Sequence, residues 1–160
     1  MAIIQVMTSS FKAQALLGVH DFRPSAQSGA SIFKIALYTS LASLDANTTA
    51  YTSSNEVVAS GYTAGGLVLT NLGVTTSSLT TTTGVGWVDF SDPTWAASTI
   101  TARGALIYNS TPKANDNADA ALTNPSVAVL DFGSDKSSTG GNFTVILPAP
   151  AYSTAILQFA

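Results

Sequence analysis

The sequence predicts an all-β fold: one antiparallel β-sandwich, jelly-roll-like, of about eight strands, with a short N-terminal helical segment. Three observations predict it. Runs of apolar and β-branched residues are short and mostly alternate with polar ones. Gly, Pro, Asn or Asp separates almost every pair of runs. Only one stretch carries helical spacing, and strands never alternate with helices as a parallel α/β sheet requires. The chain divides into an N-terminal arm, 1–30, with its helix and loop, and a β-sandwich domain, 31–160.

The helical stretch is "SSFKAQALLGV", 9–19, with Ser9 or Ser10 as its cap and Gly18 near its end. The loop "HDFRPSAQSGAS" follows, punctuated by Pro24 and Gly29. The period then becomes two. In "SIFKIALYT", 31–39, Phe33, Ile35 and Leu37 share one face and Lys34, Ala36 and Tyr38 the other, which predicts a strand with one buried face. Residues 40–65 form a polar segment too long to be left structureless, so a neighbouring element or subunit is expected to pin it. Within it, Ser53 and Glu56 have capping-box spacing and predict one short turn of helix. Strands are expected at 66–72, 73–81, 85–91, 99–109, 126–133, 142–148 and 154–160, and "NSTPKANDNADAALTNP", 109–125, reads as an exposed loop.

A chain of 160 residues buries a core without staples, and 46% of its residues are hydrophobic. Only 9% are charged, against about 25% in an average soluble domain. Ser, Thr, Asn, Gly and Ala stand where Lys and Glu usually keep a monomer soluble, so much of the surface is expected to be covered by neighbours. The net charge is −3 and the six basic residues are scattered singly, which excludes a basic face for nucleic acid and speaks against binding an anionic membrane. Absence of cysteine excludes disulfides, thiolate metal sites and cysteine nucleophiles. No run reaches the about 18 apolar residues of a membrane span, and the first residues lack the pattern of a signal peptide, so folding in a cytosol is expected.

"VGWVDFSDPTW", 85–95, brings Trp87, Asp89, Asp92 and Trp95 close together. Two carboxyls about 6.5–9.5 Å apart beside aromatic platforms are how an inverting glycosidase is built. Yet Asp92 precedes Pro93, a turn-starting pair, and tryptophans favour sheet packing. The stretch reads as a strand, its exit turn and the start of the next strand, with Trp87, Phe90 and Trp95 assigned to core packing. His20 is the only histidine. No G-x-S-x-G elbow or H-x-x-x-H pair accompanies it, and it reads as a loop histidine bonded to backbone or placed at an interface. The acids of "DNADA" (Asp116, Asn117, Asp119) and "DFGSD" (Asp131, Asp135) lack EF-hand spacing and read as turn chemistry. "SGYTAGG" and "STGG" read as turns, not phosphate cradles. No catalytic residue, metal ligand or cofactor is therefore assigned, and the chain is expected not to be an enzyme.

The order of "SSFKAQALLGVHDF", "FKIALYTSLASLDANTTAYTSSNEV", "SGYTAGG", "WVDFSDPTWAASTITARGALIYNS", "NPSVAVLDFGSDKSSTGGNFTVILP" and "AILQFA" resembles a family of small virion structural proteins of tailed bacteriophages. "TARGALIYN" and "AVLDFG" are the most specific phrases, and the loop "TPKANDNADAALTNP" is longer than the pattern. The resemblance implies a place in a particle and a β-sandwich, and brings no catalytic residues. The expected function is a capsid decoration or cement protein that stabilises the shell through subunit contacts. A tail-associated or fibre-anchoring subunit at the head–tail junction is the alternative, and a carbohydrate-binding receptor module using the tryptophans is the second. The expected partners are the major capsid protein, or tail or portal proteins, and further copies of the chain as a trimer or dimer. The N-terminal helix is too short to be stable alone, so Phe11, Leu16 and Leu17 are assigned to a partner interface.

Overall fold

The computed structural model describes residues 2–76, 84–114, 122–149, 151 and 153–159. The fold is all-β with one short helix. Its elements are β1 (Val6–Met7), α1 (Ser9–Leu16), β2 (Phe33–Tyr38), β3 (Leu67–Val68), β4 (Asn71–Thr76), β5 (Gly86–Phe90), β6 (Thr94–Ser98), β7 (Thr101–Asn109), β8 (Ser126–Ser137), β9 (Gly141–Thr144) and β10 (Leu157–Phe159). They form a five-stranded sheet ordered β1-β8-β7-β2-β3, a three-stranded sheet ordered β10-β5-β4 and the pair β6-β9, with every ladder antiparallel.

The helix ends earlier than its spacing suggests. Gly18 takes a φ of +72°, and its N–H bonds the Ala15 carbonyl while Val19 N–H bonds that of Gln14. That pair of bonds is a Schellman stop, and it fits a left-handed glycine just past the last turn. Thr8, not Ser9 or Ser10, occupies the N-cap position, and its hydroxyl makes no capping bond. It faces the Ser126 and Val127 carbonyls instead and accepts from the Ser126 hydroxyl at 3.0 Å. The side chain that would cap the helix thus ties it to β8.

Two long stretches of chain, β6–β7 and β8–β9, form one bent ribbon. Thr101 lies opposite Ser137, Ser98 opposite Gly141 and Trp95 opposite Phe143, so antiparallel pairing passes from one ladder to the other, with register shifts along the way. At the bend Ser138 N–H bonds the Ile100 carbonyl, and the Ser98 and Ser138 hydroxyls meet at 3.0 Å. Strands that pass between sheets turn such corners with bulges. Here Ala97 takes a φ of +47° where the β6–β9 register shifts. Within the β7–β8 ladder the register shifts between Ala102 and Gly104 and again between Ile107 and Tyr108, where Val127 is inserted, and both Val127 and Ala128 then face the same core.

That core joins Phe33, Ile35 and Leu37 of β2 and Ala105 and Ile107 of β7 to Val88 and Phe90 of β5, Trp95 of β6, Phe143 of β9 and Leu157 of β10. The five-stranded sheet is buried on its other face as well, which corrects the single buried face expected for β2. Ala36, Tyr38, Leu106, Tyr108 and Val129 pack there under Ile3, Ala42 and Leu44.

The covering segment is the long polar stretch 40–65, which is pinned by elements of its own chain. Ile4 N–H bonds the Leu44 carbonyl, Ser9 N–H that of Ala46, Ser126 N–H that of Thr49 and Thr99 N–H that of Ser60. The helical turn expected at 53–56 is absent. Asn55 has a φ of 60°, outside the right-handed helix, and Glu56 instead bridges Tyr38. Gly66 is needed for close approach, because a Cβ there would fall 1.8 Å from the Ile35 carbonyl oxygen.

Candidate functional site

Residues 85–95 place their carboxylates at the end of β5 and in the turn that leaves it. Asp89 is buried, and its Oδ1 accepts the N–H of Phe90 at 2.8 Å. Burial raises its pKa, the Phe90 N–H works against that rise, and the charge of Asp92 adds to it. Asp92 Oδ1 accepts the N–H of Leu147 at 2.8 Å, which fastens the segment after β9 to the turn. Both carboxylates therefore hold backbone.

Phe90 and Trp95 are buried in the core. The Trp95 ring lies 5.9 Å from Tyr62 and 6.1 Å from Phe143, and its Nε1 is buried without a hydrogen-bond partner. Trp87 corrects the expectation of core packing. It is half-buried on β5, opposite Thr75 and Gln158, while its neighbour Val88 enters the core.

Phe11 corrects the expectation of a partner contact. It is fully buried within the chain's own core, 5.0 Å from the His20 ring and 6.0 Å from those of Phe22 and Phe159. Leu16 and Leu17, on the far side of the helix end, are 91% and 45% exposed.

His20 faces side chains, not backbone. Thr111 N–H donates to Asn109 Oδ1, which turns the Asn109 amide nitrogen toward His20 Nδ1 at 3.2 Å. Nδ1 is thus an acceptor, and Nε2 carries the proton to Gln14 Oε1 at 3.0 Å. The ring is neutral by construction, and its burial lowers the pKa to about 4. Beside it, Asp21 is gripped by Arg23, whose hydrogen bonds and charge lower the carboxyl pKa to about 2, with Lys113 at 3.6 Å.

Sequence reasoning missed one polar cluster. Glu56 is buried under the 40–65 segment and accepts from Tyr51 Oη and Tyr62 Oη at 2.6 Å each and from Gly65 N–H at 2.7 Å. Tyr108 Oη donates to the Gly65 carbonyl, and Tyr38 Oη to that of Thr52. Burial is the leading cause that raises all four phenols, Tyr108 to about 12. Glu56 is the only glutamate in the chain, and that singularity was the available signal. Glu56 and its three donors all lie within 40–65, so the carboxylate knits the segment together, while Tyr62 Oη, which accepts the Leu37 N–H, and Tyr108 Oη fasten it to the sheet.

An open cleft of about 550 Å³ lies between the later part of β8 and β9, lined by Leu130, Phe132, Phe143, Val145 and Ile156 with Lys136 at its rim. Among the described residues no three His, Asp or Glu side chains gather as metal ligands, and no helix is long and apolar enough to cross a membrane. Asp131 bonds Arg103 Nε at 3.2 Å and Gly133 N–H at 2.9 Å, whereas Asp116, Asn117 and Asp119 lie outside the described residues. No protein-family model, no curated protein and no solved structure matches this chain.

Proposed function

We propose that the protein is a non-enzymatic structural subunit of a tailed-phage particle, made in the host cytoplasm and held on the shell as a decoration or cement protein. One observation carries the reading: a surface poor in charge leaves large apolar side chains in water, among them Leu16, Leu41, Val58 and Ile146. Exposed apolar surface on a weakly charged protein favours association. The rigid support suits such a task. Both faces of the five-stranded sheet are filled, and the long polar segment is bound to the fold along its length. The core shared between the five-stranded sheet and the smaller sheets supports a sandwich arrangement.

The residues that would do chemistry are engaged in holding structure. Both nitrogens of His20, the Glu56 carboxylate and Asp92 Oδ1 have protein partners. Trp95 is buried and offers no platform to a sugar. The major capsid protein is the proposed partner, and a position at the tail or portal is the competing placement.

Quantitative mass spectrometry of purified virions tests the proposal. A molar ratio to the major capsid protein near one or one-third is the expected result. A ratio of a few per hundred moves the protein to the tail or a single vertex, and absence from the particle ends both placements.

A further inference from the structure

The smaller strands form two separate sheets, since β10-β5-β4 and β6-β9 share no ladder. The open cleft of about 550 Å³ between β8 and β9 touches both of them. Asn142 to Pro148 line it without a gap, and Ile156, the residue just before β10, lines it too. Leu130 and Phe132 of β8 add to its apolar wall. Successive side chains of a strand point to opposite faces. A run of consecutive lining residues therefore turns the edge of the strand toward the cleft, not one of its faces.

The hydrogen bonds of β9 show that this edge is open. Val145 donates its N–H to the Pro93 carbonyl, and Thr144 and Phe143 lie opposite Thr94 and Trp95. Antiparallel strands turn alternate residues toward and away from the partner, so Phe143 and Val145 bond toward β6. The N–H and C=O groups of Thr144 and Ile146 point the other way, and among the described residues no backbone group meets them. Sheet edges are ordinarily defended by charge, by proline or by a covering element. Neither a charged residue nor a proline occurs from Ser137 to Leu147. At about 3.3 Å per residue the edge from Asn142 to Leu147 is about 20 Å long.

These backbone groups name the occupant. Unpaired N–H and C=O groups at every second residue fit the backbone of another extended strand. The cleft has walls on both sides, so a strand that enters it leaves any folded sheet of its own behind. We propose that the cleft receives a single extended segment of a partner protein, which pairs with the outer edge of β9 and sets alternate apolar side chains against Leu130, Phe132 and Ile156. Charge adds one requirement. Asp131, at the rim, is engaged by Arg103 Nε and the Gly133 N–H. Lys136 donates to Ser134 Oγ and, among the described residues, meets no carboxylate. The segment carries an acidic residue toward Lys136.

The test uses the purified full chain without any particle, so its outcome is separate from that of the virion measurement. The probe is a fluorescein-labelled peptide, Glu-Val-Thr-Val-Thr-Val-Thr amide, followed by fluorescence anisotropy. Saturable binding to the wild type is expected, and none for the same peptide methylated on every backbone nitrogen. Thr144→Pro removes one outward N–H and leaves the bonds of Phe143 and Val145 to β6 in place. With its fold checked by circular dichroism, it is expected to bind about tenfold more weakly. Lys136→Glu is expected to weaken this peptide and to favour its Lys-first counterpart. Absence of saturable binding to the wild type overturns the proposal. Binding that survives methylation or Thr144→Pro shows side chains held without a strand and also overturns it. Equal binding of both peptides to Lys136→Glu and wild type overturns the acidic requirement. A wild type that sediments as a dimer, with Thr144→Pro a monomer, puts a second copy in the cleft and overturns the assignment to a different protein.

Discussion

Trp95 combines a well-packed ring with an unsatisfied donor. The ring contacts Tyr62 and Phe143, while the buried Nε1 has no acceptor. Such a donor costs about 1–3 kcal/mol in lost hydration. Trp95→Phe gives up ring area but removes that cost, so it is expected to lose distinctly less than Trp95→Ala. Trp95→Ala opens a cavity and is expected to lose about 3–5 kcal/mol. Urea denaturation of the two variants checks this, and equal losses would contradict it. Glu56 makes the opposite case, a buried charge with three donors. Glu56→Ala strands two phenols and an amide, each costing about 1–3 kcal/mol when buried without a partner, and is expected to cost several kcal/mol in all. Glu56→Gln retains an acceptor and is expected to cost distinctly less. Hydrogen exchange read by mass spectrometry is expected to show faster exchange across 40–65 in Glu56→Ala, and unchanged protection there would show that the carboxylate does not pin the segment.

At the scale of elements, the N-terminal helix illustrates how a weak local structure is held by its surroundings. Eight residues with no side-chain bond at the N-cap are not stable alone. Phe11 in the core, Thr8 on β8 and the Gln14–His20–Asn109 relay fix the helix in place. Burial of the His20 ring makes stability depend on pH. His20 has a folded pKa of about 4 against an ordinary 6.5, so the unfolded chain binds the extra proton between those values. Its contribution is whole above about pH 6.5 and is lost as pH falls toward 4, amounting to about 3 kcal/mol. Asp89, raised by burial, titrates in the opposite sense, so the contribution is read as the difference between wild type and His20→Gln. Unfolding free energies from urea titrations between pH 8 and 3.5 are expected to converge by about 3 kcal/mol as pH falls, and a difference independent of pH would rule out the buried ring as the cause. The strands were more legible. Runs at 85–91, 99–109 and 126–133 announced β5, β7 and the first part of β8 through their bounding Gly, Pro and Asn residues. The two-residue β1 and β3 could not announce themselves, because a pair of residues has no period and their conformation comes from the strands beside them.

For the whole molecule, the sequence by itself determined the all-β class, the order of most strands and the scarcity of charge, because alternation and turn residues act locally and composition needs no structure. It did not reveal that the five-stranded sheet is buried twice. Ala36 and Tyr38 fall on the unburied side of the strand expected at 31–39, yet they are packed with Leu106 and Tyr108 once a polar segment folds over them. It likewise misassigned Phe11 and Trp87, since spacing shows which residues share a face but not which face meets the core. Only the tertiary structure decided that Glu56 gathers phenols from its own segment, that His20 relays between α1 and β7, and that Val68, Leu72 and Val74 stay in water. Those outcomes depend on contacts between residues far apart in the chain, whose geometry no local pattern encodes.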